Sequence, residues 1–81
     1  MESDLELGIY EHYKGRLYLV HEVARHSESL EPYVIYRQLY GEYGLWVRPL
    51  TMFQEDVMFE GKKVPRFKFI RKTGLPEVET R

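Results

Sequence analysis

Arginine, lysine and histidine occur beside aromatic residues at several points where the sequence predicts turns or strand ends. This candidate set comprises Tyr13, Lys14, Arg25, His26, Glu28, Tyr40, Trp46, Arg48 and Arg66. A guanidinium binds phosphate or carboxylate through paired hydrogen bonds, and an aromatic face stacks on bases and other rings. These residue types predict a site for an anionic ligand: a nucleic acid, a nucleotide, or an acidic or phosphorylated peptide. The alternative is structural, with Arg48 pairing with Glu28 or Glu31 to hold the intervening loop.

Histidines offer a second kind of chemistry, acid–base catalysis or metal binding. His12, His26 and Glu28 are suitable types, but their spacing matches no metal-binding motif. Ser27 lies between His26 and Glu28, yet neighbours in an extended chain point to opposite sides and cannot form a triad. We therefore predict no catalytic residue, no metal and no cofactor, and expect His26 or Ser27 to bond the backbone of loop 26–32. A small enzyme using His12 or His26 as acid–base is the less favoured alternative.

Basic residues are also concentrated near the end of the chain. They are Lys62, Lys63, Arg66, Lys68, Arg71 and Lys72. Strand alternation places Arg66 and Lys68 on one face and Phe67 and Phe69 on the other, so the phenylalanines are predicted to be core. The basic residues either protect an edge strand from pairing or form the footprint of a nucleic-acid partner.

Composition limits the class of protein that can carry these residues. The 81 residues are 43% hydrophobic and 31% charged, with a net charge of −1 and no cysteine, so disulfides and thiolate sites are excluded. No apolar run approaches the ~20 residues that span a bilayer. The first residues are acidic, unlike a signal peptide. The sequence therefore predicts a cytoplasmic protein without membrane contact.

Short β-branched and aromatic runs separated by glycine predict strands rather than helices. We predict strands at 8–13, 16–25, 33–40, 45–49 and 64–71, and a sixth short strand at 57–60. One helical turn is expected around 51–56, where Thr51 and Gln54 have capping-box spacing. The fold class is mainly β, a small SH3-like barrel of five to six strands. It would occupy residues 8–72, between an acidic flexible head (1–7) and a flexible tail (73–81).

Trp46 is the single tryptophan and lies next to Val47 in a predicted strand. One of the two side chains must face outward, because neighbours in a strand point to opposite faces. An outward Trp46 would be a candidate anchor for a partner. The favoured prediction is a buried core tryptophan.

Several segments resemble one known family. They are Tyr10-x-His12-Tyr13-Lys14-Gly15, Tyr18-x-Val20, Ala24-Arg25-His26-Ser27-Glu28, Tyr36-x-x-Leu39-Tyr40-Gly41, Trp46-Val47-Arg48-Pro49, Met52-Phe53 and Pro65-Arg66-Phe67. In this order they resemble the small bacterial domain-of-unknown-function family numbered sixteen fifty-three, over residues 8–70. The resemblance implies an SH3-type β-barrel (a roll) and no assigned activity. The hypothesis for function is therefore a non-catalytic binding module for an anionic ligand. The alternative is a protein–protein interaction or oligomerisation module.

Overall fold

The computed structural model describes residues 5–72 of the chain. They contain seven short strands and one helical turn. The strands are β1 (Gly8–His12), β2 (Leu17–Arg25), β3 (Pro32–Gln38), β4 (Leu45–Pro49), β5 (Asp56–Phe59), β6 (Lys62–Pro65) and β7 (Phe67–Arg71). The helical turn α1 (Leu50–Phe53) lies between β4 and β5. The mainly-β, barrel-like fold is confirmed.

The strand count is one higher than predicted, because the strand expected at 64–71 is broken at Arg66. The Arg66 N–H donates to the Glu55 carbonyl at 2.9 Å, and the Arg66 carbonyl accepts from the Tyr13 N–H at 3.0 Å. Arg66 therefore bonds to the β5 side through its N–H and to the β1 side through its carbonyl, and the chain passes from one ladder to the other at this residue. The segment before it pairs with β5, and the segment after it pairs with β1.

The strands form a five-stranded antiparallel sheet in the order β4-β3-β2-β1-β7 and a separate hairpin, β5–β6. The register of β2 against β3 shifts between Val20 and Glu22, and that of β1 against β7 shifts between Ile9 and Tyr10. Such bulges bend a strand and increase its twist. Helical turn α1 and the hairpin connect the two edge strands, β4 and β7.

The core lies on the inner face of the large sheet and is mainly aromatic. It comprises Tyr10, Val20, Val34, Tyr36, Leu50, Phe53 and Phe67, with Leu5 and Tyr18 packed against it. Phe67 is buried, as predicted, and stacks on Phe53 with ring centroids 4.1 Å apart. Phe69 packs edge-on against Tyr10 but stays 38% exposed, so its prediction as core is only partly right.

The helical turn forms without the predicted cap. It begins at Leu50 and ends at Phe53, its N-cap is Pro49, and no side chain caps it. Thr51 therefore lies inside the turn, and the capping-box prediction is wrong. Leu50 and Phe53 are both buried, so apolar anchoring three residues apart holds the turn in place of a cap.

The flexible head and tail predicted from the sequence fall mostly outside residues 5–72. Residues 1–4 of the acidic head and all of the tail (73–81) lie outside the described residues. Within the remaining part of the head, Leu5 packs on the core and the Glu6 carbonyl accepts a hydrogen bond from the Tyr10 hydroxyl at 2.7 Å. Over residues 5–72, no helix has the length and apolar character needed to cross a bilayer.

Candidate functional site

An open cleft of about 220 Å³ lies on the inner face of β2, β3 and β4. It is lined by Tyr18, Tyr36, Gln38, Tyr40, Trp46 and Arg48, and we call it the tyrosine–arginine cleft. Antiparallel pairing places Tyr18 opposite Gln38 and Tyr36 opposite Trp46. Since paired residues share a face of the sheet, the cleft is a continuation of the core face, at the end where no side chain of residues 5–72 fills it.

Three tyrosine rings form one wall of the cleft. The Tyr18 ring meets those of Tyr36 and Tyr40 edge-on, with centroids 5.5 and 5.6 Å apart. Their hydroxyls take part in bonds within the wall, because the Tyr18 and Tyr40 oxygens are 2.6 Å apart. Burial and this bond raise the pKa of Tyr18 to about 12. The Tyr18 hydroxyl is therefore protonated near neutral pH.

Trp46 forms the opposite side of the cleft, and its side chain is 54% exposed. The prediction of a buried core tryptophan is wrong, because the inner face is open at this point. Val47, its neighbour, points to the outer face and is 63% exposed. The indole N–H of Trp46 donates to Gln38 Oε1 at 2.6 Å, and Gln38 Nε2 donates to the Tyr40 carbonyl at 3.2 Å. Gln38 thus fixes the tryptophan relative to the tyrosine wall.

Arg48 brings positive charge to the cleft. It is half-buried, its Nε donates to the Tyr36 hydroxyl at 3.2 Å, and its guanidinium carbon lies 5.9 Å from the centre of the Phe67 ring. No carboxylate among residues 5–72 forms an ion pair with it, so the structural alternative of a pair with Glu28 or Glu31 is not found. Its two terminal nitrogens have no hydrogen-bond acceptor among the described residues.

A second arginine stands at the rim. The guanidinium carbon of Arg16 lies 4.4 Å from the centre of the Tyr40 ring. Arg16, Tyr18 and Gln38 were not among the site residues that the sequence pointed to. A signal was available: the polar loop at 26–32 makes β2 and β3 an antiparallel pair, which brings the start of β2 beside the end of β3, near Tyr40.

His12 lies next to the cleft among several cations. Its ring centre is 4.5 Å from that of Tyr13, 5.0 Å from that of Phe67 and 6.2 Å from that of Tyr18. Burial lowers its pKa, as do the positive charges of Lys14, Arg48 and Arg66. His12 is therefore neutral at pH 7. Lys14, Arg48 and Arg66 thus lie close enough to act on His12 electrostatically, and of these Arg66 is paired with Glu55.

The remaining predicted residues lie elsewhere. Tyr13 lines a cavity of about 450 Å³ between β1, β7 and the β5–β6 hairpin, with Lys14 5.8 Å above its ring. Arg25 and His26 line a cavity of about 250 Å³ on the outer face of the sheet. Arg66 forms an ion pair with Glu55 at 3.0 Å. Only Tyr40, Trp46 and Arg48 come together in the cleft.

The loop after β2 shows the backbone role expected for His26. Its Nδ1 accepts hydrogen bonds from the N–H groups of Glu28 at 3.1 Å and Ser29 at 3.3 Å. Glu28 is exposed there and does not reach the cleft. His12 and His26 line different cavities. Within residues 5–72, no three histidine or carboxylate side chains are placed to hold a metal ion together.

Comparisons with known proteins agree with the fold. The family described as "Protein of unknown function (DUF1653)" matches residues 8–69. A crystal structure of a DUF1653 protein from Bordetella bronchiseptica is 34% identical, covers 88% of this chain and 94% of its own, and superposes with a TM-score of 0.79. No functionally curated protein is significantly similar to the chain. The match spans most of the sequence, and the chain belongs to the DUF1653 family.

Proposed function

We propose that this protein is a non-catalytic binding module for an anionic ligand, and that the tyrosine–arginine cleft is its binding site. One observation carries the proposal: Arg48 is half-buried in a cleft whose six lining residues include no carboxylate. Buried arginines are normally paired, since removing a charge from water is costly. The terminal nitrogens of Arg48 form a fork that can bind a phosphate or carboxylate through two hydrogen bonds.

A cationic ligand is the main competitor on chemical grounds. Aromatic clefts also bind quaternary ammonium groups, through the negative faces of their rings. Here the face of Tyr40 is already covered by Arg16, and Arg48 adds a second positive charge. These charges disfavour a cation and attract an anion. Nucleic acids and nucleotides as ligands also suit the cytoplasmic location expected from the sequence.

Trp46 provides the assay, because it is the single tryptophan and lines the cleft. Its fluorescence would be followed at low salt during titration with inorganic phosphate, nucleoside monophosphates, a phosphotyrosine peptide and a short single-stranded oligonucleotide. At least one of these anions should give a saturable change that weakens as salt is added. Arg48→Gln should weaken that binding by about 1–3 kcal/mol, roughly 5- to 150-fold.

Arg37→Gln is the matched control. Arg37 lies on β3 with its side chain on the outer face, where Nη1 donates to the Tyr43 carbonyl at 2.8 Å. Arg37→Gln removes one positive charge, as Arg48→Gln does, but Arg37 does not line the cleft. The affinity for the anion should therefore stay within about twofold of wild type. Circular dichroism would establish that both variants fold. Equal affinity for wild type and a folded Arg48→Gln, or no response to any anion, would refute the proposal.

A protein–protein or oligomerisation module is the second candidate, favoured by the edge strand β4. Leu45 and Val47 are both exposed on its outer face. The opposite edge, β7, carries Lys68 and Arg71, the kind of charge that discourages strand addition. Edge β4 lacks this protection at those two positions and is open to an added strand. A concentration-dependent increase in mass by light scattering, abolished by Val47→Lys, would support this candidate.

A further inference from the structure

The size of the tyrosine–arginine cleft limits what can enter it. Its volume of about 220 Å³ is below the ~300–1,000 Å³ typical of sites that enclose a whole small molecule. It therefore has room for a single ring-sized group. Since the cleft is open on one side, the rest of the ligand would lie outside it. This geometry favours one unit of a longer chain over a free metabolite.

The walls of the cleft are suited to a flat ring. Trp46 and the tyrosines present ring faces and edges around an open space, and Arg16 lies over Tyr40 at its rim. Bases of a single strand stack on aromatic side chains, because every base has a π-face. Bases inside a duplex are already stacked and paired, so only an unstacked base can enter.

The hydroxyl groups of the wall have donor capacity left over. Tyr18 and Tyr40 share one hydrogen bond, which uses one of their two hydroxyl hydrogens. The Tyr36 oxygen accepts from Arg48, so its own hydrogen remains available. One hydrogen of the Gln38 amide nitrogen also remains after its bond to the Tyr40 carbonyl. Together with the terminal nitrogens of Arg48, the cleft groups that can still form hydrogen bonds are chiefly donors.

A donor-rich cleft selects for acceptors on the ring that enters it. Thymine, uracil and guanine carry keto oxygens, whereas adenine presents an amino group at the corresponding position. We infer that the tyrosine–arginine cleft holds one unstacked keto-bearing base of a single-stranded nucleic acid, with the neighbouring phosphate on Arg48. This inference rests on the proposed anion-binding function and specifies its ligand. A phosphotyrosine ring would also fit by size, but its strong acceptors all lie on one phosphate group, so a phosphate bound by Arg48 leaves none on the ring itself for the hydroxyl donors.

The test compares short single strands of thymidylate and adenylate by Trp46 fluorescence at low salt. We expect the thymidylate strand to bind roughly 10-fold more tightly, the effect of one well-placed pair of base contacts. The same thymidylate strand annealed to its complement should bind much more weakly. Inorganic phosphate and a phosphotyrosine peptide, titrated in parallel, report on the anion site without a base.

The Tyr36→Phe variant tests whether the hydroxyl donors select the base. It keeps the ring but deletes the hydroxyl, so the preference for thymidylate over adenylate should shrink at least about threefold. Tyr33→Phe is the matched control, since Tyr33 lies on the same strand but lines the outer-face cavity. It should leave the preference unchanged. If Tyr36→Phe does not fold, Tyr40→Phe removes another hydroxyl from the same wall and serves in its place.

The outcomes separate this inference from the function on which it rests. Equal affinity for the two strands, or for duplex and single strand, would overturn the base-specific inference and leave the anion site standing. Binding of phosphate or the phosphotyrosine peptide without binding of either strand would overturn the nucleic-acid ligand alone. No response to any anion would remove both.

Discussion

Replacing Phe53 by alanine would remove the ring at the centre of the described core. Its side chain is 1% exposed and stacks on Phe67, with an angle of 3° between the ring planes. It also meets Tyr10 and Tyr36 edge-on, at centroid distances of 5.3 and 5.4 Å. Because the Tyr36 hydroxyl bonds Arg48, loss of Phe53 should affect the cleft wall as well as the core.

The expected loss of stability follows from this packing. Phenylalanine-to-alanine substitutions in cores typically cost about 3–5 kcal/mol, from lost burial and the cavity left behind. Phe53 contacts three other aromatic rings, which places it in the upper part of that range. At about 0.05–0.15 kcal/mol per residue, a domain of this size has a total stability of only about 4–12 kcal/mol. Phe53→Ala should therefore be largely unfolded or close to it, and Phe53→Leu should be less affected.

Urea unfolding followed by circular dichroism would measure the effect. The matched control is Met52→Ala, one residue earlier in α1, where the side chain is 43% exposed. Met52→Ala should change the free energy of unfolding by no more than about 0.5–1 kcal/mol. A loss below about 2 kcal/mol for Phe53→Ala, or an equal loss for the two variants, would refute the assignment of Phe53 as the centre of the core.

Two further predictions concern β1. A Cβ added at Gly8 would lie 2.4 Å from the Arg71 carbonyl oxygen, so Gly8→Ala should lower the free energy of unfolding by about 2 kcal/mol or more. Gly15→Ala is the control, because its φ of 102° also lies in the region that strains an alanine, as the φ of 141° at Gly8 does, while its Cβ would meet nothing within 4 Å. Similar urea midpoints for the two would contradict the clash. The lowered pKa of His12 means that the unfolded chain binds its proton more readily, so stability should fall as pH decreases from the ordinary value of 6.5 towards the lower folded value. His12→Gln should flatten this dependence in urea unfolding at pH 7.5 and pH 5 (about the range over which histidine titrates), and an unchanged slope would contradict it.

Local sequence patterns were sufficient for most of the fold. The alternation in 64–71 predicted a buried Phe67, and glycines at 15 and 61 marked turns where the structure has positive φ angles. The helical turn was found near its observed position for the wrong reason. Its stability comes from burial of Leu50 and Phe53, a tertiary contact that the capping pattern does not report.

The composition of the cleft was much harder to predict. Nine candidate residues were chosen because they lie at predicted turns and strand ends, but proximity in the fold depends on register. Tyr18 lies opposite Gln38 and Tyr36 opposite Trp46 only for one alignment of β2, β3 and β4. A shift of one residue would move every side chain to the other face. The bulge between Val20 and Glu22 is such a shift within β2.

The amino-acid sequence by itself determined that this protein is a small, cysteine-free, mainly-β domain that is rich in aromatic residues. Strand propensity and side-chain alternation are properties of neighbouring residues, so they can be read along the chain. Only the tertiary structure decided that Tyr40, Trp46 and Arg48 share one cleft while Arg25 and His26 lie on the outer face. The physical reason is that exposure and electrostatic partners depend on pairing between distant strands, and this pairing leaves Arg48 without a carboxylate among the described residues.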